Sequence, residues 1–190
     1  MTVIEHTFLD AVASLSLYQA ARANSAVSRR RTGASAAGPC PSCGAQRLPS
    51  HLEQHLPFLH AQSFLYALDT IGKVLTVLAK YPSVPDAVRN QEKTFRDSLP
   101  SLTSLRDTAH HPEDRARGLK RLGKRIKLKP VENAFFHFPE GGVLALGNFI
   151  GDKYGSTTAD GRYAEIEVSI ATLTTVHACL QATIDALPWH

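Results

Sequence analysis

The chain has 190 residues, of which 43% are hydrophobic, and it carries a formal net charge of +4. This length fits one domain with a sizeable core, and this apolar fraction excludes an intrinsically disordered chain. No apolar run approaches the ~20 residues that a membrane-spanning helix needs. We also expect no secretory signal, because the N-terminus lacks a compact apolar core. The chain has 3 cysteines, an odd number that does not suit a disulfide framework, so we expect a reducing, cytoplasmic setting.

The first 50 residues are predicted to form an N-terminal helix followed by a flexible segment. Apolar residues recur at helical spacing across residues 4–27. The stretch that follows, SRRRTGASAAGPCPSCGAQRLPS, is rich in Ser, Gly, Ala and Pro, as linkers are. We therefore place a domain boundary near residue 50 and assign residues 51–190 to a helical bundle domain.

The flexible segment contains a candidate zinc site. Cys40 and Cys43 have the spacing of a zinc knuckle, and His51 and His55 follow them, which supplies four ligands of the type that zinc binds. We expect the two histidines to lie one turn apart on a short helix that Pro57 limits. A structural zinc ion and a surface loop with two free thiols both remain open at this point.

Between residue 58 and about residue 123 the pattern predicts four helices. The first carries apolar residues at alternating spacings of four and three: Phe64, Leu68, Ile71, Leu75 and Leu78. Pro85, Pro100 and Pro112 each indicate the start of a following helix, because proline is favoured in the first helical turn. We predict that the fourth of these helices is strongly basic and weakens at Gly123.

After Pro130 the pattern changes to that of a small antiparallel sheet. VENAFFHF and GGVLALGNFI are rich in strand-forming residues, and RYAEIEVSI alternates apolar and polar positions. The intervening GDKYGSTTADG lacks Gly-Lys-Ser/Thr, so we interpret it as a hairpin loop and not as a phosphate-binding loop.

A closing helix is predicted from a last apolar stripe, formed by Leu173, Val176, Leu180, Ile184 and Leu187. The expected fold is therefore mostly α with a small antiparallel β insertion. We expect a helical bundle of four to five helices, with a two- to three-stranded β-meander at about residues 132–169 before the C-terminal helix.

Arg106 and His111 form a candidate catalytic pair. Metal-free RNA cleavage needs a group that takes the proton of the 2′-hydroxyl, a donor for the leaving 5′-oxygen and a cation for the phosphate. Histidine suits proton transfer because its ordinary pKa lies near neutrality, and arginine suits the phosphate because it can bond two oxygens at once. Asp107 could orient either group, and His110 is a second candidate histidine.

The hexapeptide RDTAHH at residues 106–111 resembles the Arg-x4–6-His motif of the HEPN superfamily, in which Asn, Asp or His often follows the arginine. Members are helical bundles, often dimers, and motifs from two protomers build a metal-independent ribonuclease site. The resemblance implies that Arg106 and His111 are catalytic, that Asp107 is their polar neighbour, and that the protein is a homodimer needing no cofactor for catalysis. Many members are toxins or act in antiviral defence, and others only bind.

Residues 115–129, RARGLKRLGKRIKLK, carry eight basic residues and no acid. Such a segment attracts polyanions, although a solvated helix face would have the same composition. Next to a catalytic pair it could hold a phosphate backbone. The candidate nucleic-acid contacts are Arg115, Arg117, Lys120, Arg121, Lys124, Arg125 and Lys127.

Three interpretations remain open. The first is a HEPN-like metal-independent ribonuclease acting on single-stranded RNA, with a toxin or defence role and a protein partner such as an antitoxin. The second is a non-catalytic helical module that binds nucleic acid or protein. The third is a structural subunit of a larger bacterial system. In the non-catalytic interpretations His111 caps a helix that begins at Pro112, and Arg106 pairs with Glu113 or Asp114.

Overall fold

The computed structural model describes residues 3–30 and 49–187. Within these ranges it contains six α-helices and five short strands. The helices are α1 (Val3–Arg30), α2 (Ser50–Ala79), α3 (Asp86–Ser98), α4 (Leu102–His110), α5 (Pro112–Ala116) and α6 (Ile170–Ala186). The strands are β1 (Val131–Glu132), β2 (His137–Phe138), β3 (Asn148–Ile150), β4 (Lys153–Thr157) and β5 (Tyr163–Glu167). The expected fold class, mostly α with a small antiparallel insertion before the last helix, is confirmed.

Helices α1 and α2 form the main core of the bundle. Four residues of the predicted stripe on α2 are fully buried, namely Phe64, Leu68, Ile71 and Leu75. Ala11, Leu15 and Tyr18 of α1 belong to the same cluster. Helix α1 is therefore part of the bundle, and the boundary that the sequence suggested near residue 50 does not separate it from the remaining helices.

Helix α2 begins at Ser50 and continues through Pro57, so the prediction that Pro57 limits a separate short helix is wrong. A proline inside a helix leaves the carbonyl of the residue four positions earlier without its usual donor, here the carbonyl of Glu53. The hydroxyl of Ser25 on α1 donates to that carbonyl at 3.2 Å. Packing between the two helices thus compensates for the hydrogen bond that Pro57 cannot make.

The prolines mark the helix starts as predicted. Helix α3 begins after Pro85, α4 begins two residues after Pro100, and Pro112 is the first residue of α5. Helix α4 ends at His110, because a residue before proline disfavours the helical conformation and His111 is such a residue.

The prediction of a basic helix reaching Gly123 is wrong, because α5 ends at Ala116. Gly118 then turns the chain with a φ of +67°. The amide of Lys120 donates to the carbonyl of Lys124 at 2.7 Å. The amide of Ile126 donates to the carbonyl of Gly118 at 2.8 Å. Residues 118–126 therefore form a tight antiparallel loop, which we call the basic hairpin.

The strands form two antiparallel sheets, one of β1 and β2 and one in the order β3-β4-β5. The interpretation of GDKYGSTTADG as a hairpin loop is wrong, since Lys153–Thr157 is the central strand β4. The hydroxyl groups of its small polar side chains form hydrogen bonds within the protein. For example, the hydroxyl of Thr157 donates to the carbonyl of Val143 at 2.7 Å. Strands β4 and β5 lie against α4 and support it.

Helix α6 closes the fold as expected, and Val176, Cys179 and Leu180 lie in the core. The hydroxyl of Ser169 caps its N-terminus by accepting from the amide of Thr172 at 3.3 Å. Across residues 3–30 and 49–187, no helix has the length and apolar character needed to cross a membrane.

Candidate active site at the end of helix α4

Arg106 lies on α4 and is anchored to α2 by a buried carboxylate. Its Nε donates to Oδ2 of Asp69 at 2.9 Å, and the exposed fractions of the two side chains are 18% and 4%. Asp69 also accepts from the hydroxyl of Thr103 at 3.2 Å and pairs with Lys73 at 2.7 Å. Among the described residues, Arg106 donates only through Nε, so its two terminal amino groups remain available to an anion.

Asp107 is held by an arginine from the next helix. Its Oδ2 accepts from Nη2 of Arg115 at 3.2 Å, and Nη1 of the same guanidinium donates to the carbonyl of Leu119 at 2.8 Å. Arg115 is only 2% exposed, and its Nε has no partner among the described residues. The expectation that Arg115 contacts nucleic acid is therefore wrong, because an enclosed guanidinium cannot reach a phosphate. It joins α4 to the base of the basic hairpin instead.

His111 stands at the junction of α4 and α5 with its ring 44% exposed. Its Nε2 lies 3.9 Å from Oδ1 of Asp107, and its Nδ1 lies 3.7 Å from Oε1 of Glu113. His111 occupies the N-cap position of α5, but its side chain makes no capping hydrogen bond. The non-catalytic interpretation supposed that Arg106 pairs with Glu113 or Asp114. In the structure it pairs with Asp69 instead. The imidazole is thus reachable from solvent and has a carboxylate near each nitrogen.

Tyr66 and His110 complete the cluster. Nδ1 of His110 lies 3.4 Å from the hydroxyl of Tyr66, and the His110 ring meets that of His111 edge-on at a centroid distance of 5.0 Å. Burial raises the pKa of Tyr66, and the nearby guanidinium of Arg106 opposes that rise. The hydroxyl of Tyr66 therefore keeps its proton at neutral pH and can act as a hydrogen-bond donor beside Arg106.

The remaining predicted phosphate contacts lie on or next to the basic hairpin. Lys124, Arg125 and Lys127 are exposed, and Lys120 is partly exposed. Arg117 is exposed as well, but its Nη2 donates to Asp114 at 2.8 Å. The side chain of Arg121 lies outside what the structure describes.

The four predicted catalytic residues, Arg106, Asp107, His110 and His111, lie in the last two turns of α4 and at its C-cap, and the basic hairpin follows after the short helix α5. The sequence reasoning missed Tyr66 and Asp69, both on α2. The only local signal was a carboxylate at position 69, directly beside the buried apolar stripe of that helix.

Two groups of residues could hold a metal. Ligand atoms of His111, Glu113 and Asp114 lie within 4.8 Å of one another, an arrangement that could accept a divalent cation. For the predicted zinc site, Cys40 and Cys43 lie outside the described residues. His51 and His55 are exposed near the start of α2. Zinc binding by these four residues remains a prediction.

Comparison of the chain with protein-family models, with curated proteins and with solved structures finds no match. A functional assignment must therefore come from the site itself, since a helical bundle alone serves many functions.

Proposed function

We propose that the protein is a metal-independent endoribonuclease of the HEPN type that cleaves single-stranded RNA, with Arg106 and His111 as its catalytic residues. One observation carries the proposal. Buried Asp69 fixes Arg106 through Nε at 2.9 Å and leaves its terminal amino groups free, while the end of the same helix presents the exposed ring of His111. A fixed guanidinium and a reachable imidazole are two of the groups that this chemistry needs.

The reaction is a transfer within the RNA. The 2′-oxygen attacks phosphorus as its proton leaves, the bond from phosphorus to the 5′-oxygen breaks, and that oxygen receives a proton. The products are a 2′,3′-cyclic phosphate end and a 5′-hydroxyl end. Arg106 would bond the non-bridging oxygens, whose charge increases in the transition state, and His111 would transfer a proton. Asp107, held by Arg115, would orient the imidazole.

The reaction needs both a base and an acid, and a homodimer would supply them. In a HEPN-type pair, two copies of the motif face one another, so that each protomer contributes one His111. A ribonuclease of this kind would serve as a toxin or in defence, and a protein partner such as an antitoxin would restrain it in the cell.

The experiment is incubation of single-stranded RNA with the protein in excess EDTA. We expect cleavage by the wild type and a loss of at least about 100-fold in both Arg106→Ala and His111→Ala, the size expected for removing a proton-transfer group. His137→Ala is the matched control, because His137 is an exposed histidine on β2 whose ring pairs with Glu132, away from α4 in the sequence. Undiminished cleavage by either active-site variant would refute the proposal, and so would cleavage that EDTA abolishes.

A non-catalytic nucleic-acid-binding module is the second candidate, and a specific observation favours it. Both nitrogens of His111 have acids nearby, whereas Lys124 and Arg125 of the basic hairpin are exposed. On this account RNA binds without being cut. Neutralising Lys124 and Arg125 to Gln would lower the affinity and reduce the slope of log K against log salt by about 1 to 2, since each phosphate contact contributes about 0.7.

A further inference from the structure

The tip of the basic hairpin exposes a large apolar side chain on a strained backbone. Leu122 is 85% exposed and has φ 65° and ψ 27°, the left-handed region that leucine avoids. Gly123 follows with a φ of +70° and tolerates this conformation, as glycine does. An exposed leucine in an unfavourable conformation adds nothing to the core. Such strain commonly marks a binding segment.

Cations lie on both sides of this tip. Lys120 precedes it, and Lys124 and Arg125 follow it. The backbone hydrogen bonds between the two arms of the hairpin, at 2.7 and 2.8 Å, keep the backbone of these residues at the tip that carries Leu122. An apolar wedge between cations is an arrangement with which proteins separate stacked bases, because the cations hold phosphates while the wedge fills the opened step.

The hairpin is also joined directly to the candidate active site. Arg115 donates to the carbonyl of Leu119 at the base of the hairpin and to Asp107 beside His111. The base of the hairpin is therefore held beside Asp107, whose carboxylate lies 3.9 Å from the ring of His111.

We propose that the basic hairpin binds RNA with Leu122 inserted between neighbouring bases, so that the nucleotides beside the catalytic pair are unstacked. This inference rests on the proposed function in one respect only, namely that the ligand is RNA. An anionic membrane surface is the other polyanion that such a loop could meet. A single leucine is a small anchor, however, because interfacial binding usually buries a whole apolar helix face.

The test uses an RNA oligonucleotide that carries one 2-aminopurine, a base whose fluorescence rises when it is unstacked. All proteins carry His111→Ala, so that cleavage does not interfere. We expect binding to raise the fluorescence. Adding Leu122→Gly should remove that rise and weaken binding roughly tenfold, the size of one lost stacking contact, with an unchanged salt slope. The melting temperature of this variant should stay the same or increase, because glycine relieves the strain.

Lys124→Gln is the matched control, for it should lower the salt slope and keep the fluorescence rise. The inference is overturned if the Leu122→Gly protein binds RNA and raises the fluorescence as its parent does. It is also overturned if Leu122 is needed only for binding to vesicles of phosphatidylserine and phosphatidylcholine.

A fluorescence rise together with a wild type that does not cleave RNA would refute the ribonuclease and support the hairpin's role. RNA cleavage by the wild type without a fluorescence rise that depends on Leu122 would support the ribonuclease and refute the hairpin's role.

Discussion

Arg106 and Arg115 both bind a carboxylate, but only Arg106 keeps donor groups near the surface. Arg106 uses Nε for Asp69, whereas Arg115 uses both terminal amino groups inside the protein. The same residue type therefore has two roles at this site. In the proposed mechanism Arg106 binds the phosphate, whereas Arg115 fixes the position of Asp107.

Arg106→Lys tests whether the shape of the guanidinium matters and not only its charge. A lysine ammonium is a single point charge, so it cannot bond Asp69 on one side and present a planar pair of donors on the other. We expect kcat/KM for RNA cleavage in EDTA to fall by at least roughly tenfold, with little change in melting temperature. Arg162→Lys is the control, because Arg162 is an exposed arginine that also pairs with an aspartate through Nε but belongs neither to the pair nor to the predicted nucleic-acid contacts. Equal activity of Arg106→Lys and wild type would contradict the assigned role.

The sequence could predict one half of this site. Arg106, Asp107, His110 and His111 lie within six residues, and their types and spacing suggested proton transfer and phosphate binding. Tyr66 and Asp69 could not be predicted, because they reach the site only through the packing of α2 against α4. Arg115 was misassigned for the same reason, since a basic composition does not show which cation is enclosed.

Among the elements, strand β4 shows how a glycine can mislead a reading of the sequence. Gly155 lies in the centre of the three-stranded sheet, where a glycine normally weakens a strand. The ring of Tyr163 on β5 covers it, and its hydroxyl donates to Asn148 on β3 at 3.1 Å. This cross-strand cover could not be inferred from GDKYGSTTADG alone, whereas the helices that follow prolines could, because proline acts locally.

Gly155→Ala should destabilise the protein by about 2 kcal/mol, in the range for overpacking a core. A Cβ at this position would lie 2.1 Å from the hydroxyl oxygen of Tyr163. The measurement is the free energy of unfolding from urea titration, followed by far-UV circular dichroism.

Tyr163→Val is the matched partner, because it removes the ring. The two changes together should be less destabilising than the sum of their separate effects by about 1 kcal/mol or more. Strict additivity would show that the ring does not cover Gly155.

In the molecule as a whole, α1 packs against α2 and also forms hydrogen bonds with the three-stranded sheet. The hydroxyl of Tyr18 donates to Asp152 in the turn between β3 and β4 at 3.3 Å, and Arg22 donates to the neighbouring carbonyl of Gly151 at 3.0 Å. The sequence predicted α1 itself but not its place in the fold. These contacts span more than a hundred residues, and no local pattern reports them.

These contacts predict a loss of stability in alkali. Burial raises the pKa of Tyr18 from 10.0 to about 12, with Arg22 opposing and Asp152 adding to the rise. The folded chain keeps this proton to a higher pH than the unfolded chain does. The contribution of Tyr18 to the free energy of unfolding is therefore fully present below pH 10 and is lost as the pH rises towards 12. Burial raises the pKa of Tyr163 to about 12 as well, so the two tyrosines act in the same direction.

Tyr18→Phe checks this linkage through the free energy of unfolding in urea between pH 8 and pH 12. The variant should be less stable at pH 8 by about 1 kcal/mol, because it lacks one hydrogen bond. Its stability should then decline less steeply above pH 10 than that of the wild type. Parallel curves for the two proteins would show that Tyr18 is not the group responsible.

The most direct test of the central claim is the chemistry of the RNA ends formed in EDTA, read by mass spectrometry of a defined oligonucleotide. We expect 2′,3′-cyclic phosphate and 5′-hydroxyl ends with the wild type, and no such products with His111→Ala or at a 2′-deoxy position. Ends bearing 3′-hydroxyl and 5′-phosphate groups, or no products from the wild type, would contradict it.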